Sequence, residues 1–423
     1  MRILQFLALA AILATLPAPR AAAQSGFSTL YTFEPGYYGQ VPTGVIGVNG
    51  ALYGTTAAGG ANYFGSVFEL QPPAGEHSAP AGSWTETNLV NFTVQNAAAW
   101  APWASLVAGA HGVFYGTTAD GGTYGAGTVF ALQRPATAGG AWKTSLLYNF
   151  GAPGDGVTPY GSLVIDAHGE LYGTTWEGGA YDYGTVFQLR QPATPGGAWT
   201  ETVLYTFTGQ SDGANPWGLS MSAKGDLYGA TVDAFGGYAG TIYELAPTAG
   251  AGGAWTHSVL HAFTGGTDGC YPFFAPVAAE DGTVYGTTYG TVIIIEYFGV
   301  YGDGTVFKLE QSAAGGWQKT VLHNFASAPW GPDSPLLIRD GAIYGTAGDR
   351  ISLQGGQVFE LQPPVAGDIP PDGDWSIRVL HQFDTGVVPY GTIAMDANGV
   401  IFGTTGGVET VSPLVGTAYR LEP

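Results

Sequence analysis

Three short strings recur seven times along the chain, and no other feature restricts the fold as much. Tyr-Gly-Thr-Thr stands at 53–56, 115–118, 172–175 and 285–288, with degenerate copies starting at Tyr228, Tyr344 and Phe402. Gly-Thr-Val-Phe stands at 127–130, 184–187 and 304–307, and its variants begin at Gly65, Gly240, Gly356 and Gly416. A third element ends on Phe33, Phe92, Phe150, Phe207, Phe263, Phe325 and Phe383, each preceded three residues earlier by leucine. The period is 56 to 62 residues. A repeat of that length is one supersecondary unit that buries its apolar surface against the next copy.

Within one unit, residues 159–207, the pattern predicts four strands: Pro159 to Ile165, Gly169 to Thr175, Gly184 to Leu189 and Trp199 to Phe207. Each is short, rich in β-branched and aromatic residues, and bounded by Gly, Pro or Asp. No stretch sustains a helical period. The predicted fold is all-β, a seven-bladed β-propeller with four antiparallel strands per blade. Gly26 to Phe33 matches only the fourth strand of a unit, and Gly416 to Leu421 matches the third. The last blade is therefore expected to be closed by the N-terminal strand. Trp84, Trp142, Trp199, Trp255, Trp317 and Trp375 each precede the repeat phenylalanine by eight residues. In an unbroken strand, that even offset puts Trp and Phe on one face and the repeat leucine on the other.

Composition closes off several classes. Charged residues are 10% and aromatic residues 13%, the opposite of a disordered chain. The 69 glycines follow no three-residue period, so the chain is not collagenous. A formal net charge of −20 argues against nucleic acid as a partner. Residues 1–23 have the positive start, apolar stretch and small-residue end of a signal peptide. The mature chain, 24–423, is expected to be one secreted propeller domain, extracellular or periplasmic and monomeric. Its most apolar run, Val292 to Ile295, is far too short to span a bilayer. Cys270 is the one cysteine, so no intrachain disulfide exists.

The consensus Leu-Tyr-Gly-Thr-Thr, Gly-Gly, Gly-Thr-Val-Phe, clearest in LYGTTWEGGAYDYGTVF at 171–187, resembles the GloVer tandem-repeat family of secreted bacterial proteins. The likeness runs from Thr29 to Leu421. It implies an exported β-propeller and carries over no activity and no catalytic residues.

A feature present in every unit is most simply architectural, and by that test the Gly-Thr-Thr strings are structural. Asp155-Gly156, Asp212-Gly213 and Asp268-Gly269 read as turns. Calcium is the one ion weighed, with Asp368 to Asp374 as its best loop, yet no loop gives a full ligand set and no cofactor or metal site is expected. His261, His323 and His381 occupy a position held elsewhere by Tyr31, Tyr148 and Tyr205, so imidazole replaces a half-buried phenol there.

Aromatic loop residues are the candidate ligand-binding set. At the start of the innermost strand, proline is followed by Trp103, Tyr160, Trp217, Phe273 and Tyr390, which should ring the mouth of the central channel. Trp176, beside Glu177, lies in a neighbouring loop of the same face. The fifth unit carries extra residues at 289–303, read as a cap over that mouth in preference to a partner-binding finger. The leading expectation is a non-enzymatic propeller binding a polysaccharide or other surface polymer. One alternative is a polysaccharide lyase or glycosidase using Glu177, Asp182, Asp233 or Asp303, and another is a structural cell-surface module.

Overall fold

The computed structural model describes residues 26–423 apart from 34–40, 74–82, 94–98, 138, 195, 234–238, 249–253, 291, 296–297, 302–303, 326–330, 349–354, 365–374 and 408–415. The fold is all-β. Among the described residues there is no α-helix, only strands and two 3-10 turns, Ala110–Gly112 and Gly266–Asp268.

In the 159–207 unit, Val164–Ile165, Leu171–Thr175, Thr185–Arg190 and Thr200–Thr206 pair in that order, each antiparallel to the next. The first strand is shorter than the sequence pattern predicts. Gly156–Val157 pairs instead with Glu177–Gly178, and Thr158 turns the chain with a φ of 59°. The released stretch around Tyr160 is thereby free to face the molecule's interior. Equivalent arrays end on Thr85–Asn91, Lys143–Asn149, Trp255–Ala262, Trp317–Asn324 and Ser376–Gln382. The last array runs Val387–Met395, Ile401–Gly407, Thr417–Leu421 and then Ser28–Thr32, so the N-terminal strand completes it. Among the described residues strand pairing does not run on from one array to the next, except for one parallel bridge from Gly44 to Thr392 between the first and last arrays, although single backbone bonds such as Asn215 N–H to the Tyr183 carbonyl at 3.0 Å link neighbouring units. The extra residues of the fifth unit form a separate hairpin, Val292–Ile295 against Phe298–Tyr301.

Packing between units follows from the outermost strand. In all seven units the ladder skips one residue, and each time it is the repeat leucine: Leu30, Leu89, Leu147, Leu204, Leu260, Leu322 or Leu380. This β-bulge inserts one unpaired residue and breaks the alternation of faces. Tryptophan and phenylalanine therefore point to opposite faces, contrary to the even-offset expectation, and the leucine sides with the phenylalanine. Trp199 packs against the unit before it, with Tyr115 and Phe150, whereas Leu204 and Phe207 pack against Leu227 and Tyr243 of the unit after it. Seven apolar clusters result, each shared by two neighbouring units. One of them joins Leu30, Phe33 and Phe402 of the last unit to Phe68 and Trp84 of the first. The last unit has no tryptophan; Phe27 fills the gap and stacks on His381 at 3.7 Å.

The repeated strings are accounted for by contacts inside each unit. The second threonine of Gly-Thr-Thr shares a buried hydroxyl pair with the threonine of Gly-Thr-Val-Phe, as in Thr175 with Thr185 at 2.9 Å and Thr288 with Thr305 at 2.7 Å. A Cβ on Gly173 would stand 2.5 Å from Cζ of Phe187, so only glycine admits the cross-strand ring.

Candidate functional site

In six units the repeat proline, at or ahead of the innermost strand, seats on the preceding unit against Gly65, Gly127, Gly184, Gly240, Gly304 or Gly356. The Pro216 ring lies against Gly184, whose φ of +93° and missing Cβ leave it room. That contact fixes where the following residue goes. In the seven units this residue is Thr43, Trp103, Tyr160, Trp217, Phe273, Asp333 and Tyr390, and all seven line a single cavity of about 420 Å³. The five aromatic residues singled out in the sequence are thus brought together. Phe274 and Tyr289 extend the aromatic wall, and Ser105, Ser162, Ser220 and Thr392 add hydroxyls.

The rings form one connected group. Tyr160 and Trp217 stack with centroids 5.1 Å apart and planes at 10°, and Phe273 meets Trp217 edge-on at 5.9 Å. Trp103 is 37% exposed, the most open of the five. Trp176 departs from its expected role because it is not among the lining residues. It braces the wall from behind, edge-on to Trp217 at 5.5 Å and to Tyr160 at 5.9 Å. Tyr289 follows Gly-Thr-Thr at the same repeat position and does reach the cavity, touching Phe273 at 5.8 Å.

Two lining residues escaped the aromatic pattern, Thr43 and Asp333. Both follow the repeat proline, Pro42 and Pro332, and that position alone would have found them. Asp333 is fully buried and is the one ionisable carboxylate among the lining residues, which include no lysine, arginine or histidine. Burial, then the fields of Asp120 and Glu177, push the Tyr160 phenol above its usual range. Ser105 Oγ donates to the Thr43 carbonyl at 3.2 Å or to Thr392 Oγ1 at 3.0 Å, and Ser220 Oγ donates to the Pro276 carbonyl.

The other polar candidates serve the scaffold. Asp155, Asp212 and Asp268 each tie their turn to the preceding strand, accepting from Tyr148 at 3.0 Å, from Tyr205 at 3.0 Å, and facing His261 Nε2 at 2.9 Å. Imidazole does take the place of phenol there. Lys319 from the next unit reaches the same Asp268 oxygen at 2.9 Å, its ammonium 4.9 Å from the Phe263 ring centre. Glu177 is exposed, and Asp182 accepts from the Gly178 amide at 3.0 Å, a turn contact. The Asp233 side chain, Asp303 and the Asp368 to Asp374 loop lie outside the described residues, as does the 1–23 segment. Cys270 is buried against the Gly290 carbonyl. Among the described residues no three His, Cys, Asp or Glu gather as a metal site, and no helix is long and apolar enough to cross a membrane.

Residues 78–298, just over half of the sequence, match the Gloeobacter/Verrucomicrobia repeat. The chain belongs to that family. The resemblance read from the Tyr-Gly-Thr-Thr and Gly-Thr-Val-Phe strings is therefore correct. No curated protein matches the sequence. Among solved structures the chain is similar to a polysaccharide lyase of family PL25, ulvan lyase, bound to -[GlcA(1-4)Rha3S]-, with a TM-score of 0.57, 11% identity, and coverage of 92% of this chain and 94% of that one. The same lyase without that sugar gives a TM-score of 0.56 at 10% identity, covering 92% and 94%. A puromycin-hydrolysing peptidase of Mycobacterium tuberculosis gives 0.52 at 12% identity, covering 90% of this chain and 53% of that one. At such identities the likeness concerns the fold alone.

Proposed function

We propose that this family member is an exported, closed seven-bladed β-propeller that binds a segment of an extracellular glycan in its axial cavity. Closure is supported by the seven inter-unit clusters, one of which joins the last unit to the first. The observation that carries the binding role is the convergence of all seven post-proline residues on one cavity, five of them aromatic. Sugar rings present C–H faces that stack on aromatic planes, while their hydroxyls pair with the serine and threonine oxygens around them.

The rival reading is a lyase or glycosidase at the same mouth, supported by the fold shared with the ulvan lyases. Acid–base cleavage of that kind needs two positioned titratable groups. Among the described lining residues Asp333 is the one carboxylate, and the other titratable groups are the phenols of Tyr160, Tyr289 and Tyr390, of which Tyr160 is pushed above its usual range and so is a poor base. Binding without cleavage is the better fit.

The test is affinity electrophoresis of residues 24–423 through gels containing soluble polysaccharides, wild type beside Trp217→Ala. Retardation by at least one polymer, weakened about ten-fold in the variant, is the expected result. Shortened oligosaccharides in the gel would favour the lyase. Unretarded migration on every polymer would sink the binding role.

A further inference from the structure

Resting on the glycan reading, we infer a second contact for the same polymer outside the cavity, a row of tyrosines on the loop tips of the first three units. A cavity of about 420 Å³ takes about three sugar rings, so a longer chain has to leave it across the mouth face. The loops 57–65, 119–127 and 176–184 join the second and third strands of those units, and their tips carry Tyr63, Tyr124 and Tyr181. At 56%, 59% and 59% exposure these are the three most exposed large hydrophobic side chains among the described residues. Each loop starts beside the run-in to an innermost strand. The Ala57 amide donates to the Val41 carbonyl at 2.8 Å, two residues before Thr43. Asp120–Gly121 pairs with Ala99–Trp100, three residues before Trp103, and Glu177–Gly178 pairs with Gly156–Val157, three before Tyr160. Trp103, the most open ring of the cavity, belongs to the middle unit of the three.

The tips are held in place before any ligand arrives. Asn91 and Asn149, at the ends of outer strands, accept from the amides of Ala61 at 2.8 Å and Thr123 at 2.9 Å, and Asp182 accepts from Gly178 at 3.0 Å. A Cβ on Gly151 would stand 2.9 Å from that of Tyr124, so glycine there lets the tyrosine sit against the chain. Tyr63 has a φ of 63°, where the other two loops place Gly125 and Asp182, a conformation that bulky residues rarely take. A fixed tyrosine offers a sugar a flat face and a hydroxyl with little entropy to lose. Glycine and small or polar residues separate the tips, which therefore lack the contiguous apolar centre that a protein partner needs. The matching loops of the last two units, 348–355 and 406–415, contain no aromatic residue, so aromatic tips do not surround the mouth.

Gels containing laminarin, xyloglucan, arabinogalactan or pectin identify a polymer that retards residues 24–423, and a trimer and a dodecamer cut from that polymer then compete for the protein. A dodecamer offers a trimer-sized site about ten registers, so an affinity ratio of about ten needs no outer contact. The expected ratio is about one hundred in wild type and about ten in Tyr63→Ala/Tyr124→Ala/Tyr181→Ala, with trimer affinity unchanged. Phenylalanine at the three positions keeps the flat faces and should keep most of the ratio. Should the triple alanine variant fail to fold, the wild-type ratio and Tyr181→Ala alone are read in the same way. A wild-type ratio of about ten, or a larger one that the alanine variants leave unchanged, overturns the outer row and leaves the cavity reading standing. Equal weakening of trimer and dodecamer means that the tyrosines serve the cavity or the fold, and it overturns the row too. If no polymer retards the protein, both readings fall.

Discussion

Two residues after the outer-strand tryptophan, four units present a polar side chain to the unit before them: Glu86, Glu201, His257 and Lys319. Glu86 meets Tyr31, His257 stacks on Tyr205 at 4.1 Å, and Lys319 meets Asp268. At Glu201 the junction is acidic: burial, then the nearby Asp155 carboxylate, push its carboxyl from 4.5 up to about 7. A carboxyl with a raised folded pKa gives stability that is complete below the unfolded value and is lost as pH rises through the folded one. At this junction the loss falls between pH 4.5 and about 7. Glu201→Gln should therefore be more stable than wild type at pH 8, by about 1–2 kcal/mol after allowing for partial exposure, and no more stable at pH 4. Urea denaturation at both pH values measures it; equal gains at the two would show that charge is not the cause. His257 has the opposite sign, since burial lowers it from 6.5 to about 4. Its contribution is lost as pH falls across that interval. Replacing it by phenylalanine, the residue that plays this part at Phe27, should flatten the acid limb of a stability–pH curve. None of these junctions could be read from the sequence, because each depends on which residue of a neighbouring unit stands opposite. The cavity residues could, because a proline fixes each of them locally.

The repeat leucine is the least conspicuous part of the motif and sets the geometry of the outer strand. Counting residues from tryptophan to phenylalanine assumes unbroken alternation, and one bulge reverses the result. Nothing in Leu-x-x-Phe distinguishes a bulge from a regular strand, so that element was illegible although its recurrence was plain. A direct consequence concerns Leu322, which is buried in the cluster with Phe325 and Phe359. Leu322→Ala leaves the bulge and removes apolar contact, costing about 2–4 kcal/mol. Deleting Leu322 makes the ladder continuous and keeps every face: Val321 stays opposite Phe307 and His323 opposite Val306, and Trp317 and Phe325, now seven positions apart, still point to opposite faces. Circular dichroism and urea titration should show both variants folded, with the deletion weakened at least as much as the alanine variant, since it loses the same side chain. A deletion variant as stable as wild type would mean that neither the leucine nor its bulge is needed.

At the scale of the whole molecule, the number of units was legible because each string recurs once per period, and the joining of the ends was legible because each terminus supplies only part of a unit. What the sequence could not supply is how firmly the last unit is held to the first. Three contacts do this: the strand Ser28–Thr32 on Thr417–Leu421, the Gly44–Thr392 bridge, and the cluster around Leu30, Phe33 and Trp84. Removing residues 24–33 takes away the first and much of the last, and exposes a strand edge with open hydrogen-bonding groups. Leu30 and Phe33 are among the side chains lost, both fully or almost fully buried. The expected loss is about 5 kcal/mol or more, the sum of two large buried side chains and a strand ladder. Thermal melts of residues 34–423 should show a lowered midpoint. A peptide of residues 26–33 added in excess should restore it, since the peptide re-forms the fourth strand of the last unit by mass action. A control peptide with Leu30 and Phe33 replaced by serine keeps the backbone donors and loses the apolar anchors, and it should not restore the midpoint. If the truncated chain melted as the full one does, the Gly44–Thr392 bridge and the packing around it would be enough to hold the last unit to the first.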